Sequence, residues 1–159
     1  PMNDMNTTDI VKYSRQAQER MTAGIDDWSR ARIINALVHV EAADRVNFAR
    51  HTRMLMTADM DDNERVKVIG ALAGVPTGKR AEFVTQVLVL VTASMNGGAR
   101  VEVINVLAQV LAADRVGFVQ QARMLMTTDM DNNERVKIID TLATQRLNSI
   151  VTTKSRLGM

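Results

Sequence analysis

Two acidic strings contain the residues of this sequence whose types and spacing could support chemistry. The string "TADMDDNER" covers Thr57–Arg65, and "TTDMDNNER" covers Thr127–Arg135. Asp59, Asp61 and Asn63 place an oxygen-bearing side chain at every second position, as the start of a calcium-binding EF-hand loop does. Two interpretations therefore compete: a pair of metal sites, and a helix start that recurs.

The rest of the calcium pattern is missing from the first string. An EF-hand loop requires glycine at position 6 and a bidentate glutamate at position 12. Counted from Asp59, those positions hold Glu64 and Gly70. Asp61 is followed three residues later by Glu64, which is the spacing of a capping box. The sequence therefore favours helix caps over metal sites, although a weak surface cation beside the clustered acids stays open. The predicted caps are Asp26, Asp61, Asn96 and Asp131.

Few other side chains suggest a catalytic centre. The chain has no cysteine, and its two histidines, His39 and His51, recur with no third metal ligand. No spacing of serine, histidine and aspartate indicates a nucleophilic triad. The string "VPTGKR", from Val75, is too short for a phosphate-binding loop. We expect a protein that is not an enzyme and that needs no cofactor or metal.

Composition indicates a folded protein with a modest charge. Of the 159 residues, 46% are hydrophobic and 24% are charged, which is ordinary for a globular domain. The net charge of +2 is too small to predict nucleic-acid binding by itself. The first ten residues are polar and acidic, unlike a secretory signal, and no apolar run approaches the roughly 20 residues that span a bilayer. We expect no membrane association, and a cytoplasmic or unknown location.

A 35-residue repeat organises the segments that carry these side chains. Ala43–Ala73 matches Ala113–Ala143, and halving that spacing of 70 residues reveals four units that align without gaps. The units begin with "MTAGIDDWSRARIINALVHV" at Met21, "MTADMDDNERVKVIGALAGV" at Met56, "VTASMNGGARVEVINVLAQV" at Val91 and "MTTDMDNNERVKIIDTLATQ" at Met126.

Each unit is predicted to form two amphipathic helices, A and B. The apolar stripe of helix A is typified by Val68, Ile69, Leu72 and Val75. The stripe of helix B is predicted to contain Val46, Phe48, Ala49, Thr52, Leu55 and Met56 in the first unit, with Phe83, Val84, Val87, Phe118, Val119, Ala122 and Leu125 as later counterparts. The recurring methionines are interpreted as core residues at the junctions between units: Met54, Met56, Met60, Met124, Met126 and Met130.

The helix pair, the unit length and the tandem array resemble the tetratricopeptide and pentatricopeptide class of helical repeats. This resemblance implies an extended binding surface built from stacked hairpins. A two-helix unit cannot bury its apolar faces alone, so we predict an all-α fold, a right-handed α-solenoid of about nine helices, with a more globular helical bundle as the alternative. The predicted single domain, 1–159, contains a leading helix (8–20) and repeats at 21–55, 56–90, 91–125 and 126–159, the last ending in a diverged capping helix.

Arginine recurs at two positions of the unit. One row contains Arg30, Arg65, Arg100 and Arg135, and the other contains Arg45, Arg80 and Arg115. An arginine in the first turn of a helix is not favoured by the helix dipole, so each one needs another partner. We expect salt bridges between units, to Asp44, Asp59, Asp114 or Asp129. The alternative is a row of cations lining a groove for an acidic peptide or a phosphate backbone.

The leading functional hypothesis is a scaffold that binds a protein or peptide partner. Its recognition surface should contain polar residues that vary between units while the core stays constant. The candidates are Arg50, His51, Arg53, Glu82, Gln86, Gln120, Gln121 and Arg123. Nucleic-acid binding through the arginine rows is an alternative with less support, and a structural or self-associating segment of a longer repeat protein is another. The oligomeric state is left open.

Overall fold

The computed structural model describes residues 27–156, with side chains over 28–147. Over this range the chain is all-α, with seven helices and no strand. The helices are α1 (Asp27–Val38), α2 (Arg45–Leu55), α3 (Asp62–Ala73), α4 (Arg80–Leu90), α5 (Gly97–Gln109), α6 (Arg115–Leu125) and α7 (Asn132–Arg156). The predicted leading helix at 8–20 and the predicted cap at Asp26 lie outside the described residues.

Short 3₁₀ turns lead into the even-numbered helices. These turns are Ala42–Asp44 before α2, Thr77–Lys79 before α4 and Ala112–Asp114 before α6. Helix α3 packs against α1 and α5, and α5 packs against α7, whereas α4 packs against α2 and α6. The odd-numbered helices therefore form one row of neighbours, and the even-numbered helices form another.

The core lies between these two rows. Phe48, Phe83 and Phe118 are fully buried at one register of α2, α4 and α6. Leu72 and Leu107 meet them from α3 and α5, and both are also fully buried. Burying a side chain of this size stabilises the fold by about 2–3 kcal/mol. The predicted stripes of helices A and B supply most of this core.

Four residues predicted to be in the core are exposed instead. Val46, Met54 and Met124 are exposed because they lie on the side of α2 or α6 that faces away from the phenylalanines. At about 100° of rotation per residue, Val46 lies roughly 160° around α2 from Phe48, and Met54 lies roughly 120° from it, so both side chains point away from the core. Leu125 is exposed although its counterpart Leu90 is buried, because no further even-numbered helix follows it in the described part of the chain.

The fourth unit differs from the predicted pair of helices. Helix α7 is a single helix of 25 residues, and it runs through the position where the other units turn. Val75 and Pro76 occupy that turn in the second unit, and Gln145 and Arg146 occupy the same register in the fourth. Proline removes a helical hydrogen bond, whereas glutamine and arginine favour a helix, so the chain continues without a break.

None of the helices in residues 27–156 is long and apolar enough to cross a membrane.

Candidate partner-binding surface

The acidic strings form helix caps. At the start of α3, the Glu64 N–H donates to Asp61 Oδ1 at 2.7 Å, and the Asp61 N–H donates back to Glu64 Oε1 at 3.0 Å. This reciprocal pair is the predicted capping box. Asn96 and Asp131 accept from the backbone N–H three residues later at the starts of α5 and α7. Three of the four predicted caps are therefore confirmed, each stabilising its helix by about 1 kcal/mol.

The same loops also connect one unit to the next. Asp59 Oδ2 accepts a hydrogen bond from the Gly97 N–H at 2.7 Å, across the start of α5. The Thr57 hydroxyl and then this N–H lower the pKa of the Asp59 carboxyl below its usual value. In the next unit the Thr92 hydroxyl donates to Asn132 Oδ1 at 2.8 Å. The repeat did not predict these links, although Asp59 lies 38 residues before its partner, close to one repeat length.

The arginines near the starts of α3 and α7 bind backbone carbonyls. Arg65 Nε donates to the Met60 carbonyl at 3.1 Å, and Arg135 Nη2 donates to the Thr127 carbonyl at 2.8 Å. Both guanidinium groups thus bind the loop that precedes their own helix. The acceptors of these two hydrogen bonds are backbone carbonyls and not the carboxylates of Asp59 and Asp129. Two other members of this row, Arg30 and Arg100, have a buried Nε with no hydrogen-bond partner in the described region.

Arg80, at the start of α4, makes the one predicted salt bridge between units that forms in the described residues. Its Nη1 donates to Asp44 Oδ2 at 2.7 Å, and its Nε donates to the Leu72 carbonyl at 3.1 Å. A further N–H donates to the Ala73 carbonyl, and the guanidinium lies 5.2 Å from the centre of the Phe48 ring. One arginine thus closes the end of α3, pairs with the preceding unit and covers its phenylalanine.

Arg115 repeats this arrangement at the start of α6 without the ion pair. Its Nε donates to the Leu107 carbonyl at 3.1 Å, and the guanidinium lies 5.1 Å from the Phe83 ring centre. Burial lowers the pKa of this guanidinium. Lys79 occupies the register that Asp44 holds one unit earlier, so no carboxylate is available there. The carbonyl bonds and the ring contact are therefore sufficient to hold the arginine in place.

Arg146 covers the third phenylalanine, which the sequence did not predict. Its guanidinium lies 5.6 Å from the centre of the Phe118 ring, and its Nη2 donates to Gln121 Oε1 at 3.1 Å. The next member of the arginine row would have been residue 150, which is isoleucine. Because α7 does not turn, an arginine four positions earlier on the same helix reaches the ring instead.

The even-numbered helices share an exposed pattern on the side away from the core, which we call the outward face. On each helix an apolar, a polar and another apolar residue are exposed at intervals of four. The outward face consists of Val46, Arg50 and Met54 on α2, Ala81, Thr85 and Val89 on α4, and Val116, Gln120 and Met124 on α6. Since α4 packs against both α2 and α6, the three stripes lie side by side.

The candidate recognition residues are placed unevenly around this face. Arg50 and Gln120 belong to the outward face, and Arg53, Glu82 and Arg123 are exposed beside it. Gln121 is exposed and binds Arg146. His51 and Gln86 are half-buried, on the flank that turns towards the next helix.

His51 is the histidine in the most restricted environment. Its Nδ1 is buried with no hydrogen-bond partner in the described part of the chain. Burial, and then the charge of Arg50, lower the pKa of its imidazole, while Asp44 acts in the opposite direction and Arg80 lowers it further. The neutral imidazole is therefore the form that suits this position.

A polar cleft between α5 and α7 contains two neighbouring carboxyl groups. The hydrogen bond with the Asp140 side chain, together with burial and the Asp140 charge, raises the pKa of Glu102 to about 7. Lys137 and Asn133 line the same cleft. Across residues 28–147, no three His, Cys, Asp or Glu side chains come together in a way that could hold a metal ion. The raised pKa of Glu102 favours a proton on this carboxyl, which can then donate the hydrogen bond to Asp140.

No protein-family model, curated protein or solved structure matches this chain.

Proposed function

We propose that this chain is a non-enzymatic helical-repeat module, a right-handed α-solenoid whose stacked units present an extended surface to a protein or peptide partner. The outward face is the observation that carries the proposal. Its apolar–polar–apolar pattern recurs in register on α2, α4 and α6. The sequence repeat, with its period of 35 residues, is what supports the solenoid.

The apolar positions of the outward face are exposed to an unusual degree. Met54 is 47% exposed, Val89 is 42% exposed and Met124 is 85% exposed, all at one register of the repeat. Single exposed apolar side chains are common on protein surfaces, but contiguous apolar patches mark interaction sites. Methionine adapts its flexible side chain to different partner shapes. These positions are suited to supply the contact area of an interface.

The polar positions between them differ from one helix to the next. Arg50, Thr85 and Gln120 hold one register, and Arg53 and Arg123 are exposed nearby. An interface gains much of its specificity from a few polar or charged groups within a larger apolar contact. We therefore assign partner selection to the variable polar positions and affinity to the apolar positions around them.

The proposal is tested by comparing two variants of the whole chain in capture experiments from an extract of the source organism. The triple variant Met54→Glu, Val89→Glu and Met124→Glu changes the outward face, and Lys67→Glu with Lys137→Glu adds negative charge to α3 and α7 instead. We expect a specific set of bound proteins to be lost with the first variant and retained with the second, followed by direct titration with the purified partner. If the unaltered protein and both variants bind the same proteins, the proposal is contradicted.

Nucleic-acid binding through the arginine rows has less support. Arg80 and Arg115 are only 3% and 8% exposed, and they bind backbone carbonyls at helix ends. Arginines in such positions are poorly placed to contact a phosphate backbone. Salt-dependent binding of DNA or RNA at micromolar protein would revive this alternative.

Self-association is a second candidate, favoured by an apolar groove beside the end of α6. Leu125, Met130 and Ile138 line this groove and are partly or largely exposed. Their counterparts one unit earlier, Leu90 and Met95, are buried. A further repeat, or another copy of the chain, would bury the groove in the same way. Sedimentation that stays monomeric at high concentration would exclude the second copy.

A further inference from the structure

A second cleft between α5 and α7 has apolar walls. It has a volume of about 450 Å³ and lies between the end of α5, with the turn that follows, and the middle of α7. Val106, Val110 and Leu111 form one wall, and Ala143 and Leu147 form the other. It shares no residue with the outward face. We call it the α5–α7 apolar cleft, to distinguish it from the polar cleft that contains Glu102.

The cleft arises where the fourth unit lacks a turn. Val40 and Val75 hold the same register as Val110 in earlier units, and both are buried. Val110 is only half-buried, and the neighbouring Leu111 is exposed. Helix α7 runs straight past this point, so no turn of a following hairpin covers the two side chains. The cleft is therefore an unfilled copy of a junction that is closed elsewhere in the molecule.

The charges around the cleft favour a cation. Asp114 and Asp140 both line it, and Arg146 is the only cationic residue among the residues that line it. The Arg146 guanidinium already contacts Phe118 and Gln121. The Asp114 carboxylate has no ion pair or side-chain hydrogen bond within residues 28–147, whereas Asp44, two units earlier, binds a guanidinium at 2.7 Å.

We propose that the α5–α7 apolar cleft binds a peptide segment in which an apolar residue is followed by an arginine. The apolar side chain would pack against Val110 and Leu147, and the arginine would pair with Asp114. The junction at Asp44 supplies the template, because Val75 is buried there and Arg80, five residues later, pairs with the aspartate. Since Arg146 already covers Phe118, the incoming arginine binds through the carboxylate and not through the ring.

Binding of this peptide differs from binding of other occupants because it requires the carboxylate of Asp114. A small apolar ligand would fill the walls of the cleft without needing Asp114. Paired with the half-buried Asp114, a guanidinium adds charge-assisted hydrogen bonds and orientation. Binding at the cleft does not depend on the proposed function. A change that abolishes binding at the cleft leaves the outward face intact, and a change to the outward face leaves the cleft intact.

The test uses a fluorescein-labelled peptide with the sequence of residues 75–87, "VPTGKRAEFVTQV", titrated with the whole protein by fluorescence anisotropy. We expect saturable binding, weakened at least about tenfold by Asp114→Lys, which corresponds to about 1.4 kcal/mol. Lys79 already occupies this register in the second unit, so the substitution is compatible with the fold. Asp129→Asn, which removes an acid outside the cleft, should bind as the unaltered protein does.

The peptide itself provides the reciprocal control. A version with Arg80→Ala should lose as much affinity as Asp114→Lys, and the two changes together should lose little more, since they remove the same contact. Equal binding of the original peptide to the unaltered protein and to Asp114→Lys would overturn the proposal, as would no binding at millimolar protein. If the chain self-associates and Asp114→Lys abolishes that association, the cleft binds a second copy of the chain. This result would also overturn the proposal.

Discussion

A buried arginine completes the end of one helix from the start of the next. The last carbonyls of a helix have no partner within the helix, and Arg80 and Arg115 each donate to two of them. Each also covers a phenylalanine of the preceding unit. The repeated arginines therefore act at the level of the fold, where they bind helix-end carbonyls. Gly74, which follows α3, stays in the right-handed conformation and does not form the left-handed cap that ends many helices.

Replacing Arg80 with alanine should destabilise the protein more than replacing Arg115. Both changes remove a guanidinium donor from two helix-end carbonyls, of which Leu72 and Leu107 keep a backbone N–H donor. Only Arg80→Ala also leaves a half-buried Asp44 without its ion pair. We expect a loss of about 2–4 kcal/mol in the free energy of unfolding for Arg80→Ala and a smaller loss for Arg115→Ala. Urea unfolding at neutral pH measures both. Equal losses would show that the ion pair contributes nothing.

The paired carboxyls of Glu102 and Asp140 should make stability depend on pH. The pKa of Glu102 is about 7 in the folded protein, above the ordinary value of 4.5, so the folded state holds this proton more tightly than the unfolded chain. The resulting stability is present below about pH 4.5 and is lost as pH rises through about 7. We expect Glu102→Gln, which cannot ionise, to exceed the unaltered protein in stability at pH 8 but not at pH 4.5.

The comparison is made by thermal unfolding of both chains across this pH range. His51, whose pKa is lowered, acts with the opposite sign, because its protonation weakens the folded state as pH falls. Its effect is common to both chains and cancels in the difference. Glu102→Lys is a matched control, because it also removes the Glu102 carboxyl. Lysine is compatible with this position, since Lys67 and Lys137 hold the same register in other units. A difference between the chains that does not change with pH would exclude the raised pKa of Glu102.

At the scale of single residues, the sequence predicted the role of a side chain better than it predicted the hydrogen-bond partner. The caps at Asp61, Asn96 and Asp131 were predictable, because a cap and the backbone N–H that donates to it lie three residues apart in the chain. The partners of Arg65 and Arg115 were not, because backbone carbonyls carry no signature in the sequence. The exposure of Met54 was predicted wrongly, since its apolar character was considered without its angle around the helix.

The position of α5 depends on a close approach between its first residue and the preceding unit. A Cβ on Gly97 would lie 2.8 Å from Met60 Cγ and 3.2 Å from Met60 Cα. We expect Gly97→Ala to destabilise the fold by about 1–3 kcal/mol, because the backbone of Met60 cannot move without disturbing its loop. The measurement is urea unfolding with hydrogen exchange at the start of α5.

The adjacent glycine provides the control for this prediction. A Cβ on Gly98 would meet only the Glu64 side chain at 3.4 Å and the Asn96 side chain at 3.5 Å. Gly98→Ala should therefore be neutral, or should stabilise the protein by about 0.4–1 kcal/mol, since alanine reduces the freedom of the unfolded chain. If Gly97→Ala behaves in the same way, the junction between the units is looser than these distances indicate.

For the elements, periodicity predicted the existence of helices more reliably than their ends. The starts at Arg45, Arg80 and Arg115 follow the 35-residue period. The unbroken α7 does not follow it, although Gln145 and Arg146 could have indicated this, because they replace the valine and proline of the second unit. The second and fourth units are alike at most other positions, so the repeat by itself predicted the same turn in both.

For the whole molecule, the all-α class followed from the sequence, whereas the choice between a solenoid and a globular bundle depends on how stability is distributed. In a solenoid each unit contacts only its neighbours, so a local cavity weakens the local units most. In a globular bundle that unfolds in one step, the same cavity weakens every helix equally. Leu37 in α1 and Leu142 in α7 are both buried at the same register, near opposite ends of the described chain.

We predict that Leu37→Ala and Leu142→Ala weaken opposite ends of the described chain. Each should lower the local free energy of unfolding by about 2–5 kcal/mol. Hydrogen exchange should accelerate mainly in α1 and α2 for Leu37→Ala, and mainly in α6 and α7 for Leu142→Ala. Leu107→Ala, at the same register of α5, should affect its neighbours on both sides. Uniform acceleration of all seven helices in every variant would favour the globular bundle and remove the solenoid from the proposed function.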